Sequence, residues 1–216
     1  MQEITNLVKS GKDNYNVFLD GVFFCKLNAE TILKEKLKVG MFVPKEKLEY
    51  AQLENEKLVA FERSLKYLAS PKTKKQVSDY LFSKGYAPQT VSHCLSKLDE
   101  YGYLNDEAFA RQFVESYKHK KGRRLLEFEL ASKGVSPEIS KKVLEDLTTD
   151  EEYIINLAEK YLKNKEKNSQ TAKKLFNHLF SKGFSFEEIS PVVKKLVYDF
   201  GEENEGWNWP VGNWKN

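Results

Sequence analysis

The chain has only two cysteines in 216 residues, Cys25 and Cys94, and they form neither a C-x-x-C pair nor a framework of bridges. With no signal peptide, this points to a reducing, cytosolic setting. Histidine is equally sparse. His93, His119 and His178 share no metal-ligand spacing, so no metal is expected. No run approaches the ~20 apolar residues of a membrane span, so no membrane partner is expected either. Also missing are a Gly-rich phosphate loop, an H-E-x-x-H helix, a nucleophile elbow and a suggestive local motif of Cys and His. The chain reads as a non-enzyme without a cofactor.

What is present is charge and a repeat. Charged residues make up 31% of the chain while the net charge is only +3, so their distribution matters more than their sum. An apolar fraction of 40% and a mean hydropathy of −0.61 describe a strongly solvated surface, which suits an elongated array better than one ball. The motif Leu-x-x-Lys-Gly occurs at Leu81 to Gly85, Leu130 to Gly134 and Leu179 to Gly183, with successive glycines 49 residues apart.

The agreement extends beyond the tag. Val77, Leu126 and Leu175 stand eight residues before each glycine, and Leu81, Leu130 and Leu179 four before. Cys94, Val143 and Val192 stand nine after, and Leu98, Leu147 and Leu196 thirteen after. The i, i+4 spacing is that of a helix face, so each unit reads as a helix, a left-handed turn on glycine and a second helix packed back on the first. Pro88, Pro137 and Ser185-x-x-Glu188 supply helix starts. A further amphipathic helix precedes each pair, at 60–68, 107–117 and 151–162. The expected fold is mainly α: three tandem three-helix repeats behind a small β-meander with a helix.

The meander is read from the first ~50 residues, where β-type alternation replaces helical spacing. Strands are expected at 4–10, 15–19 and 22–27, with Asp20-Gly21 as a hairpin turn. A helix at 29–38, capped by Asn28 and stopped by Gly40, would cover the sheet with Ile32, Leu33 and Leu37. Pro44 opens a helical stretch leading through Leu48, Leu53 and Leu58 into the first repeat. The segments expected are 1–54, 55–104, 105–148, 149–198 and a tail at 199–216.

Basic side chains concentrate at helix junctions. Lys72, Lys74 and Lys75 crowd a helix start capped by Thr73 and Gln76, where cations oppose the helix dipole and would favour a nearby anion. The densest cluster is Lys118, Lys120, Lys121, Arg123 and Arg124 around Gly122, with Lys133 at the end of the next helix. A glycine-containing loop with free N–H groups at a helix start is a usable phosphate site; the alternative is a solvated charge run. In the third repeat Thr149 and Glu152 form a capping box, Ser169 caps the middle helix, and Phe186 stands where the earlier units have proline. The tail sets Asp199, Glu202, Glu203 and Glu205 before Trp207, Trp209 and Trp214, either a docking peptide or a frayed end.

At Tyr103-Leu104-Asn105-Asp106-Glu107-x-Phe109-Ala110-Arg111, Gly122-Arg123-x-Leu125 and Glu129-Leu130-x-x-Lys133-Gly134, together with the tandem glycine units, the chain resembles the RecX family of bacterial recombination regulators. The resemblance covers roughly residues 55 to 197. The hairpin Tyr15-x-Val17-x-Leu19-Asp20-Gly21 is similar to the N-terminal extension of the Gram-positive branch, and the tail lies outside the family pattern. The resemblance implies a monomeric, non-enzymatic protein that binds the RecA filament on single-stranded DNA, lies in its groove and interferes with ATP hydrolysis and strand exchange. The candidate contacts to RecA or DNA are Lys118, Lys120, Lys121, Arg123, Arg124 and Lys133, then Lys74, Lys75 and Lys84. Asn105, Asp106 and Glu107 are assigned to the helix start, and Phe109 and Leu130 to the core. Two alternatives remain: a general nucleic-acid-binding repeat protein, and a helical scaffold for another protein.

Overall fold

Alternating strand residues and turn glycines at the N-terminus build a four-stranded antiparallel sheet in the order β3-β2-β1-β4. Its strands are β1 (Gln2–Lys9), β2 (Asn14–Leu19), β3 (Val22–Asn28) and β4 (Phe42–Val43). The structure, a computed structural model, describes residues 1–145, 147 and 151–198. At the β2–β3 hairpin Asp20 and Gly21 have φ of 47° and 81°, the two positive values that a tight turn of this kind requires. Ile4, Val17, Leu19, Cys25, Leu27 and Val43 point to one face, where they meet Ile32 and Leu37, and Leu48 and Ala51.

The covering helix α1 (Ala29–Lys34) starts at Asn28, whose side chain accepts from the Glu30 N–H, but it stops well before residue 38. Lys36 at φ 53° breaks it. Leu33, expected at the packing edge, is exposed, because the short helix turns only Ile32 inward and Leu37 reaches the core from the loop. The chain then returns to the sheet as β4, which pairs with Gln2 and Glu3 of β1.

Helix α2 (Lys45–Tyr67) runs from the sheet into the first repeat without a break, so position 54 lies inside it. The Asn55 side chain accepts from the Asn28 N–H at 2.5 Å and ties α2 to the end of β3. With α3 (Lys74–Ser83) and α4 (Pro88–Glu100), α2 buries Ala60, Val77, Leu81, Val91, Cys94 and Leu98 in a separate core.

Two compact bodies result, Met1–Phe109 and Ala110–Asn216, with the division inside α5 (Asp106–Tyr117). The second repeat continues with α6 (Arg123–Ser132) and α7 (Pro137–Leu144), and buries Ala110, Val114, Leu126, Leu130, Val135 and Leu144. Its last helix ends at Leu144, so Leu147, placed on the helix face by the repeat pattern, lies beyond it. The third repeat, α8 (Glu151–Leu162), α9 (Ser169–Ser181) and α10 (Phe186–Val193), packs Ile154, Ala158, Leu175, Leu179, Phe184, Ile189 and Val193 together. A π-helical turn, Lys194–Tyr198, follows α10. Asn168 caps α9, accepting from the Thr171 N–H at 2.9 Å, so Ser169 is the first helical residue and not the cap. Thr149 and the tail from 199 onward lie outside the described residues.

The three tag glycines share one backbone conformation. Gly85, Gly134 and Gly183 have φ of 84°, 87° and 92°, each just past a helix whose cap residue is lysine. This is the left-handed exit that glycine adopts without the Cβ penalty. Phe109, assigned to the core, is only half-buried, whereas Leu130 is fully enclosed.

Both cysteines are buried as free thiols, and burial pushes each up to about 11. Reaction with a thiol reagent at pH 8 is therefore expected to be roughly hundredfold slower in the folded protein than after unfolding, because only the thiolate attacks. Equal rates in the two states would contradict this packing.

Candidate binding surface at the helix junctions

Asn105 opens α5: its side-chain oxygen accepts from the Ala108 N–H at 2.8 Å. Asp106, the first helical residue, reaches back to α3 and accepts from the Lys74 N–H at 2.9 Å. The anion wanted at the lysine-rich start of α3 is thus supplied from within. Lys74 Nζ lies 3.5 Å from Asp99 and Lys75 Nζ 2.7 Å from Asp79, both pairs exposed. Such pairs contribute little stability, but they do neutralise the lysines locally. Lys84 instead lies over the Tyr80 ring, 5.3 Å from its centroid.

The cluster in the second repeat divides in the same way. Lys118 pairs with Glu115 at 2.7 Å. Lys121 pairs with both carboxylate oxygens of Glu129 at 2.6 Å, and its Nζ lies 4.3 Å from the Tyr117 ring centroid. Lys133 lies over Phe113 at 5.3 Å. Arg124 is held hardest: its guanidinium carbon is 3.5 Å from the Phe180 ring centroid, and its NH2 donates to the Phe180 carbonyl at 3.2 Å. Lys120 and Arg123 are exposed and meet no carboxylate among the described residues.

Gly122 also differs from expectation. Its N–H donates to the Lys182 carbonyl at 2.9 Å and the Arg124 N–H to the Gly183 carbonyl at 3.2 Å. The start of α6 is therefore docked on the turn after α9, and these donors are spent, so the junction is no open phosphate cradle. Nothing in the sequence near residue 122 signals a partner some 60 positions away.

Among the described residues no three His, Cys, Asp or Glu side chains gather as a metal site, and no helix is long and apolar enough to cross a membrane. Trp207, Trp209 and Trp214 lie outside the described residues. What the geometry defines is a tandem helical-repeat protein with cationic helix junctions. Residues 105–144 match the family model described as RecX, second three-helix domain. A regulatory protein RecX of Clostridium botulinum (strain Alaska E43 / Type E3) is 34% identical over 206 residues, covering 91% of this chain and 97% of the relative. That of Bacillus subtilis (strain 168) is 28% identical, covering 91% of this chain and 77% of the relative. Among solved structures, a regulatory protein RecX superposes with a TM-score of 0.67 at 21% identity, covering 92% of this chain and all of the other. RecX from Lactobacillus salivarius gives 0.59 at 25% identity, covering 66% of this chain and 97% of the other.

The chain belongs to the RecX family of regulatory proteins.

Proposed function

We propose that this protein regulates the RecA recombinase: as a monomer it binds the RecA filament on single-stranded DNA in its groove, interferes with ATP hydrolysis and strand exchange, and works by binding alone. The observation that carries the reading is the likeness to regulatory RecX proteins along nearly the whole chain, through the sheet as well as the repeats. Residues 105–148 make the principal contact in this account. Their two uncompensated cations, Lys120 and Arg123, stand exposed on either side of the buried Gly122, where a negatively charged surface gains most from them. Lys118, Lys121, Lys74 and Lys75 contribute less because carboxylates neutralise them, and Arg124 because it is stacked on Phe180 and bonded to its carbonyl.

The test is co-sedimentation with RecA assembled on single-stranded DNA, beside the same DNA without RecA. Binding that is tighter to the assembled filament supports the proposal. Equal binding to both would place the chain among general nucleic-acid binders.

A further inference from the structure

The first and third repeats carry a second kind of cationic feature, made of rings and lysines. In the first, Tyr67 at the end of α2 stacks on Tyr80 of α3, with centroids 4.1 Å apart and planes 4° apart. Lys72 Nζ lies over Tyr67 and Lys84 Nζ over Tyr80, each 5.3 Å from the centroid. In the third, Tyr161 at the end of α8 stacks on His178 of α9 at 4.8 Å, and Lys165 Nζ is 3.3 Å from the Tyr161 centroid. Lys182 stands one helical turn beyond His178, as Lys84 does beyond Tyr80. The His178 side chain is held below its usual range by burial and then by the charges of Lys182 and Lys165.

The second ring of each stack and the lysine one turn after it occupy one register. Tyr80 and His178 each stand five residues before the repeat glycine, and Lys84 and Lys182 one before. The second repeat puts Glu129 at the ring position, and Glu129 takes Lys121, which shares with Lys72 the place thirteen residues before the glycine. A carboxylate cancels a lysine, whereas a ring face positions the ammonium and leaves its charge available. Lys72, Lys84, Lys165 and Lys182 have no carboxylate partner among the described residues.

We infer that the lysine pairs beside the two ring stacks, Lys72 with Lys84 and Lys165 with Lys182, are phosphate-binding sites for the backbone of single-stranded nucleic acid, and that Glu129 closes the corresponding site of the second repeat. All four positions are lysine, whose ammonium meets a phosphodiester oxygen as a point charge without the fixed geometry of an arginine fork. The rings are stacked on each other with ammonium groups laid over them, so bases are not read and binding is indifferent to sequence.

The test uses the full chain and a fluorescently labelled oligothymidylate in the absence of any recombinase, so its outcome is separate from that of the RecA reading. The logarithm of affinity is followed against the logarithm of salt, whose slope on single strands is about −0.7 per neutralised phosphate. Lys72→Gln, Lys84→Gln, Lys165→Gln and Lys182→Gln together remove the four charges but keep polar side chains, and should make the slope shallower by roughly three. Glu129→Gln releases Lys121 and should steepen it by about 0.7. Circular dichroism and thermal melting confirm that each variant is folded. A slope unchanged in the quadruple variant, or unchanged by Glu129→Gln, overturns the inference. So does loss of binding to polyglutamate with DNA binding intact, which would assign the lysines to acidic protein surfaces.

Discussion

Gly183→Ala is expected to destabilise the C-terminal body by about 2–5 kcal/mol, combining a left-handed backbone penalty with a steric clash. At φ 92° the new Cβ would stand 2.4 Å from Leu125 Cβ and 2.5 Å from Leu125 N. Two related variants separate the contributions. Gly85 has φ 84° but open space around its Cβ position, so Gly85→Ala should show the backbone penalty alone, about 1–2 kcal/mol. Gly122 has an ordinary φ of −72° but would place a Cβ 2.3 Å from the Gly183 carbonyl, so Gly122→Ala reports the clash alone, about 1–3 kcal/mol. Denaturant unfolding of the three variants gives the comparison. A neutral Gly122→Ala would mean that the start of α6 does not dock on the Gly183 turn.

Reversing Lys120 and Arg123 together to glutamate should weaken binding to the RecA filament roughly 100-fold or more and leave the melting temperature where it was. Two attractive contacts become repulsive, and neither side chain supports the fold. Arg124→Glu should do the opposite first: it removes a guanidinium stacked on Phe180 and its bond to a carbonyl, so melting falls. Two adjacent arginines thus separate stability from binding. Filament affinity unchanged in the double reversal would remove this junction from the contact.

What the sequence made legible follows from how local each signal is. The Leu-x-x-Lys-Gly turns were readable because a positive φ singles out glycine, and the β2–β3 hairpin because Asp-Gly is nearly obligatory for that turn. The capping boxes of Thr73 with Gln76 and Ser185 with Glu188 are four-residue patterns, and both form. Strand β4 was not legible, since two residues carry no alternation. At the start of α9 two adjacent polar residues compete for the cap, and Asn168 takes it from Ser169.

The candidate surface was legible as a cluster but not in its parts. Lys121 meets Glu129 only because α6 folds back past the junction, and Arg124 meets Phe180 fifty-six positions away. Arg123 and Arg124 are indistinguishable by type and context in the chain, and only their direction around α6 separates them. The tyrosines that carry lysines on their faces, and His178 stacked on one of them, are not legible in the sequence for the same reason, because each stack joins two helices.

RecA's ATPase on single-stranded DNA, titrated with this protein, tests control of RecA most directly. The expected result is a fall in hydrolysis that saturates as the filament is covered. Hydrolysis that stays constant while the protein is shown to be folded and present in excess would contradict the account.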